Sequence, residues 1–98
     1  MLNQIVLVGR IADMSKDNEI IIRVPRNKKN EKGVYDDDFI PVTLEGTINE
    51  NTREYCSEGC IVGIKGRMRM DGDQMHVIAE RVSFLSTKPR EDNEEDTD

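Results

Sequence analysis

The stretch that most constrains this chain is its fourth apolar run, Cys60-Ile-Val-Gly-Ile-Lys-Gly-Arg-Met-Arg-Met70. Its even positions are Cys60, Val62, Ile64, Gly66, Met68 and Met70, and its odd positions finish as Lys65, Arg67 and Arg69. Side chains alternate across a strand, so three cations stand on one face, in a row about 13 Å long, while their neighbours point to a core. Gly63 and Gly66 permit strong curvature. Asp71-Gly72 is a tight-turn signal, and a fifth strand, residues 75–85, follows at once.

The preceding segments agree with a small β protein. Residues 3–11 read as a strand through Ile5, Val6, Leu7 and Val8. Residues 12–18 are polar and turn-like. Residues 19–24 (EIIIRV) form a second strand, which Pro25 is expected to stop. Residues 26–38 form a polar loop or long hairpin tip, punctuated by Gly33. A third strand, residues 39–45, places Ile40, Val42 and Leu44 on one face and Phe39, Pro41, Thr43 and Glu45 on the other. Thr47-x-x-Glu50 then reads as a capping box. It opens a helix of about three turns over residues 47–58, with Ile48, Thr52, Tyr55 and Cys56 on one face and Gly59 as its stop.

Ninety-eight residues suffice for one domain. The formal net charge is −6, from 14 basic and 20 acidic residues. Residues 89–98 (PREDNEEDTD) hold Arg90 against Glu91, Asp92, Glu94, Glu95, Asp96 and Asp98, a net −5. The first 88 residues are therefore close to neutral, at −1, and the distribution of their charge decides what they bind. The expected organisation is a folded domain over residues 1–88 and a disordered acidic tail over 89–98.

No apolar run approaches the length of a membrane span, and the N-terminus lacks the features of a secretory signal, so a soluble cytoplasmic protein is expected. Cys56 and Cys60, spaced C-x3-C, read as small buried hydrophobes rather than metal ligands. No cofactor or metal is expected. With a single histidine, His76, and no nucleophile–base or phosphate-loop motif, an enzyme is not expected either. His76 is expected to cap or line the domain, and Tyr55 and Phe84 to belong to the core.

The element order β-β-β-α-β-β, with curved strands and one helix between the third and fourth, points to an all-β fold. The expected form is a five-stranded Greek-key barrel with the helix plugging one end, the OB arrangement. Pattern alone leaves a small sandwich or an SH3-like barrel as rivals.

Several segments resemble the bacterial single-stranded DNA-binding protein family. They are Met1-Leu-Asn-Gln-Ile-Val-Leu-Val-Gly-Arg10, Asp38-Phe-Ile-Pro-Val42, Tyr55-Cys-Ser-Glu-Gly59, Val62-Gly-Ile-Lys-Gly-Arg-Met68 and Val77-Ile-Ala-Glu-Arg-Val-Ser-Phe-Leu85. They fall in the family's order over most of residues 1–86. The resemblance implies an OB fold, noncatalytic single-strand binding, homotetramers, and an acidic tail that recruits replication and repair proteins. The chain also departs from the family. Phe39 alone holds an aromatic at a stacking position, Asn27–Lys29 and Glu45 replace others, the hairpin at Asp71-Gly72 is short, and the tail ends Asp96-Thr97-Asp98 without an apolar tip.

A nonspecific single-strand binder needs cations along a groove and flat rings on which bases stack. The candidate cations are Lys65, Arg67 and Arg69 on the fourth strand, Arg26, Lys28, Lys29 and Lys32 in the polar loop, and Arg10 and Arg23 beside them. Phe39 is the candidate stacking ring. The expected function is sequence-nonspecific binding of single-stranded DNA in replication, recombination or repair, by a homo-oligomer (tetramer or dimer). The alternative is an OB-fold protein-interaction or assembly module, a primosome-like accessory with little DNA binding.

Overall fold

The computed structural model describes residues 1–86, and the expected acidic tail lies outside the described residues. The elements run β1 (Ile5–Lys16), β2 (Glu19–Lys29), β3 (Tyr35–Thr43), α1 (Thr47–Tyr55), β4 (Ile61–Asp71) and β5 (Gln74–Phe84). The strands close into a barrel in the order β1-β2-β3-β5-β4, with β1 antiparallel to both β2 and β4. One short parallel join, Val42 to Val77 and Thr43 to Ile78, shuts the barrel between β3 and β5. This is the expected five-stranded OB barrel with its helix between β3 and β4, and the sandwich and SH3-like rivals fall away.

Alternation fills the interior. Ile20 and Ile22 of β2, Val42 of β3, and Val62 and Ile64 of β4 are each 0–1% exposed. Ile11, Leu44, Cys56, Cys60 and Ala79 complete the core with them. Both cysteines serve as buried apolar residues. The residues between these positions face outward, which is what period-two patterning demands of a sheet with one wet face.

Sheet closure forces β1 and β2 close together at Gly9. A Cβ there would stand 2.4 Å from the Arg23 carbonyl oxygen and 2.8 Å from Ile22 Cγ2, so no larger residue fits without moving backbone.

Three local expectations are corrected. The segment 12–18 is not a turn: β1 continues to Lys16, with register shifts around Asp13, and the turn is confined to Asp17-Asn18. Asp13 accepts the Ser15 backbone N–H at 2.8 Å there, which holds its carboxyl below the usual value. Pro25 does not stop β2. It sits opposite Asp37 next to a register shift, where the ladder can lack a donor, and the pairing resumes at Lys29–Tyr35. The region 26–38 is therefore the long hairpin. The third strand accordingly begins at Tyr35 and ends at Thr43, although Leu44 remains buried, its N–H donating to the Asn18 carbonyl at 2.8 Å.

The helix is shorter than expected, and its capping box is not formed. Gly46 is the N-cap, and no side chain caps the first turn. Gly59 lies in the turn that leads into β4, not at the helix end. What anchors the helix is Arg53, a residue the sequence did not single out. Its guanidinium donates to the carbonyls of Met14 (2.9 Å), Lys16 and Glu19 and to Asn49 Oδ1 (2.8 Å), while Asn49 Nδ2 donates to the Asp17 carbonyl at 2.7 Å. The helix is thereby tied to the β1–β2 turn, across the end of the barrel. Tyr55, expected in the core, is 49% exposed and packs its ring against half-buried Phe84, centroids 5.6 Å apart.

Candidate nucleic-acid interface

Register places the candidate residues on two different outer faces, because β1 pairs with β4 in its first half and with β2 in its second. Directly opposed antiparallel residues share a face. On the first face, Arg10 of β1 is opposite Arg23 of β2, which is opposite Phe39 of β3. Phe39 is 58% exposed, as alternation against Ile40 and Val42 requires. Arg10 is steadied by donating to the Gly59 carbonyl at 2.9 Å, and Arg23 lies 3.9 Å from Asp37.

Beyond this row β2 and β3 run on as a long hairpin, in which Arg26 and Asp38 have the opposite parity to Arg23 and Phe39. Asn30 orders its tip: its side-chain oxygen accepts the N–H groups of Lys32 (2.8 Å) and Val34 (3.1 Å), and its amide donates to Asp36 at 3.1 Å. Arg26, Lys28, Lys29 and Lys32 line a concave cavity of about 740 Å³ along this arm, with Glu31 and Asp36 as the acids. Arg26 donates from Nε and Nη2 to Asp38 Oδ1 at 3.1 and 3.0 Å, and that hydrogen bond raises its pKa. Lys29 stands over the Tyr35 ring, 5.8 Å from its centroid, so one face of that ring is already occupied. Lys28 and Lys32 have no ion pair among the described residues.

The expected cation row on β4 is real as an alternation but is not a uniform basic strip. Arg67 lies 3.7 Å from Glu80, and Arg69 lies 3.2 Å from Glu45 and 3.4 Å from Asp71. The Glu45 hydrogen bond, then the charge of Asp71, raises the Arg69 pKa. The pairing of β4 with β5 also shifts register between Lys65 and Gly66, since Arg81 opposes Lys65 and Ala79 opposes Gly66, leaving Glu80 as a bulge. The expectation that Met68 and Met70 point into the core fails as well. The hairpin projects past the barrel, and these methionines are 36% and 60% exposed.

Lys65 belongs to the second face. It stands between Val6 of β1 and Arg81 of β5, two cations in direct register with no ion pair among the described residues. Apart from these cations and Ser83, the side chains named on this face are apolar. Val6 is 70%, Val8 54% and Leu85 58% exposed, and a Cβ placed on Gly63 would have Val8, Ser83 and Leu85 each 3.9 Å away. Sequence reasoning missed Arg81 and this apolar face, since alternation shows that a residue points outward but not which outer residues become neighbours.

No family model matches the chain. Among curated proteins, it is 33% identical over 106 residues to Single-stranded DNA-binding protein 1 of Clostridium acetobutylicum, covering 89% of this chain and 96% of that protein. It is 32% identical over 112 residues to Single-stranded DNA-binding protein B of Bacillus subtilis, covering 93% and 96%. The chain belongs to the single-stranded DNA-binding protein family. Solved structures of similar architecture include a mitochondrial single-stranded DNA-binding protein of S. cerevisiae (TM-score 0.67, 15% identity, 88% of this chain and 97% of that one). A small single-stranded DNA-binding protein of Streptomyces coelicolor is also similar (TM-score 0.59, 16% identity, 86% and 94%). At these identities the structures speak for the OB fold. Among the described residues no helix is long and apolar enough to cross a membrane.

Proposed function

We propose that this chain binds single-stranded DNA without sequence preference, serving replication, recombination or repair in the cytoplasm. The observation that carries the reading is the outer-face row Arg10–Arg23–Phe39 together with the basic hairpin that extends from the same two strands, β2 and β3. Cations that follow a phosphate backbone and a ring on which any base can stack are what sequence-tolerant single-strand binding requires. Arg10, Arg23, Arg26, Lys28, Lys29 and Lys32 neutralise phosphate, and Phe39 stacks. Arg67 and Arg69 join by exchanging a carboxylate for a phosphate. No catalytic step is assigned.

The exposed Val6, Val8 and Leu85 side chains support a homo-oligomer, dimer or tetramer, assembled through the second face. Lys65 then lies at the rim of a subunit contact as well as near DNA. Oligomerisation adds avidity, which offsets the scarcity of stacking rings. The acidic tail, residues 89–98, serves either as a competitor of DNA for the basic hairpin or as a contact for replication and repair proteins.

The second reading is a protein-interaction or assembly module that has lost most DNA binding. The carboxylates beside Arg23, Arg26, Arg67 and Arg69 favour it, because they already pair with four of the nine candidate cations. Fluorescence anisotropy with labelled oligo-dT and with a duplex of equal length separates the two. Single-strand binding in excess of duplex binding supports the first reading, and the absence of both at low salt supports the second.

A further inference from the structure

The parallel join of β3 and β5 lasts only from Val42–Val77 to Thr43–Ile78. Toward the starts of both strands the edges part, and a slot of about 590 Å³ opens between β3 and the β4–β5 hairpin. Its size falls within the range of small-molecule sites. Ile5, Leu7, Ile40, Met68, Met75 and Val77 line it with apolar groups. Lys16 and Glu19, which also line it, pair with each other at 3.4 Å, and His76 Nε2 lies 3.4 Å from Asp71 Oδ2.

We propose that this slot seats an unstacked base of the bound strand, with Met68 and Met75 as its walls. The inference rests on the single-strand reading above and names a second base-holding site within it. Three observations choose a base. The apolar lining rejects a phosphate and accepts a neutral heterocycle, and polarizable thioethers pack well against aromatic rings. Pro41 and Thr43, which line the slot, continue the outer-face row that starts at Phe39, so a strand stacked on Phe39 is led to the opening. Thr43 and Gln74 set a hydroxyl and an amide there for the polar edge of a base. An added peptide strand fits less well, because Pro41 removes a donor from the edge of β3 that it would pair with. The methionines thus supply part of what the missing aromatic rings do not.

The test is a methionine-oxidation footprint. The protein is treated with dilute peroxide alone, with 30-nucleotide oligo-dT, and with an abasic backbone of equal length, and sulfoxide is read at each methionine by peptide mass spectrometry. Oligo-dT slows oxidation of Met68 and Met75 severalfold relative to Met1 in the same sample, and the abasic strand does not. Met75→Ala weakens binding of oligo-dT and leaves binding of the abasic strand unchanged. Oligo-dT that binds by anisotropy yet leaves Met68 and Met75 unprotected overturns the slot and spares the proposed function. Equal protection by the abasic strand also overturns it, since the cover is then backbone and not base. If neither strand binds by anisotropy, the proposed function fails and the slot fails with it.

Discussion

Arg23 and Phe39 are direct cross-strand partners on β2 and β3, sharing the outer face of the barrel. A cation beside an exposed ring can hold a phosphate while the attached base lies on the ring, which is the contact the proposed function assigns to this pair. Phe39→Ala is expected to weaken oligo-dT binding by about 1–3 kcal/mol, the usual worth of one stacking ring. Because the ring is 58% exposed, thermal stability should hardly change. Anisotropy and a melting curve on the same preparation check both halves.

The ion pairs on the β4–β5 hairpin hold Arg67 and Arg69 in place and mask their charge. Glu45→Gln and Glu80→Gln each remove a carboxylate from these arginines. Both variants should tighten oligo-dT binding at low salt, and the gain should shrink as salt screens it. Anisotropy titrations of each variant at two salt concentrations measure this.

Val8 is 54% exposed and stands 3.9 Å from the position a Cβ on Gly63 would take, in the middle of the apolar second face. Val8→Glu puts a charge where two subunits would exclude water. The expected result is a folded monomer by light scattering with weakened oligo-dT binding, because avidity is lost.

Thr52 is fully buried on the helix face against the barrel, and its hydroxyl has no hydrogen-bond partner among the described residues. An unsatisfied buried hydroxyl costs about 1–3 kcal/mol. Thr52→Val keeps the shape and removes the polar atom, so the melting temperature should rise by a few degrees; calorimetry decides it.

The sequence showed the barrel because its signals were local. Ile20, Ile22, Val42, Val62 and Ile64 alternate with outward residues, and the Gly72 turn joins β4 to β5 with Asp71 opposite Gln74. Gly72 has φ 62° and Asp73 a negative φ, which suits a type II′ turn. Pro25 misled because a proline at a register shift need not donate, a fact of the partner strand rather than of the proline. Thr47 misled because Gly46 took the cap position.

The candidate site was legible by residue type and not by neighbourhood. Arg69 and Glu45 are 24 positions apart and meet only when β4 folds beside the end of β3. Phe39, by contrast, was placed outward by alternation alone, and it is there. Lys65 shared a parity with Arg67 and Arg69, but the Glu80 bulge and the β1 pairing put it beside Val6 and Arg81.

The central claim is that the basic β2–β3 hairpin takes up the phosphates of a single strand. It is tested most directly by the slope of log K against log salt for oligo-dT, measured for the natural chain and for a Lys28→Ala, Lys29→Ala, Lys32→Ala variant. Each phosphate contact on single-stranded DNA contributes about −0.7 to that slope, so the variant should be shallower by about 2. An unchanged slope with affinity intact would contradict the account.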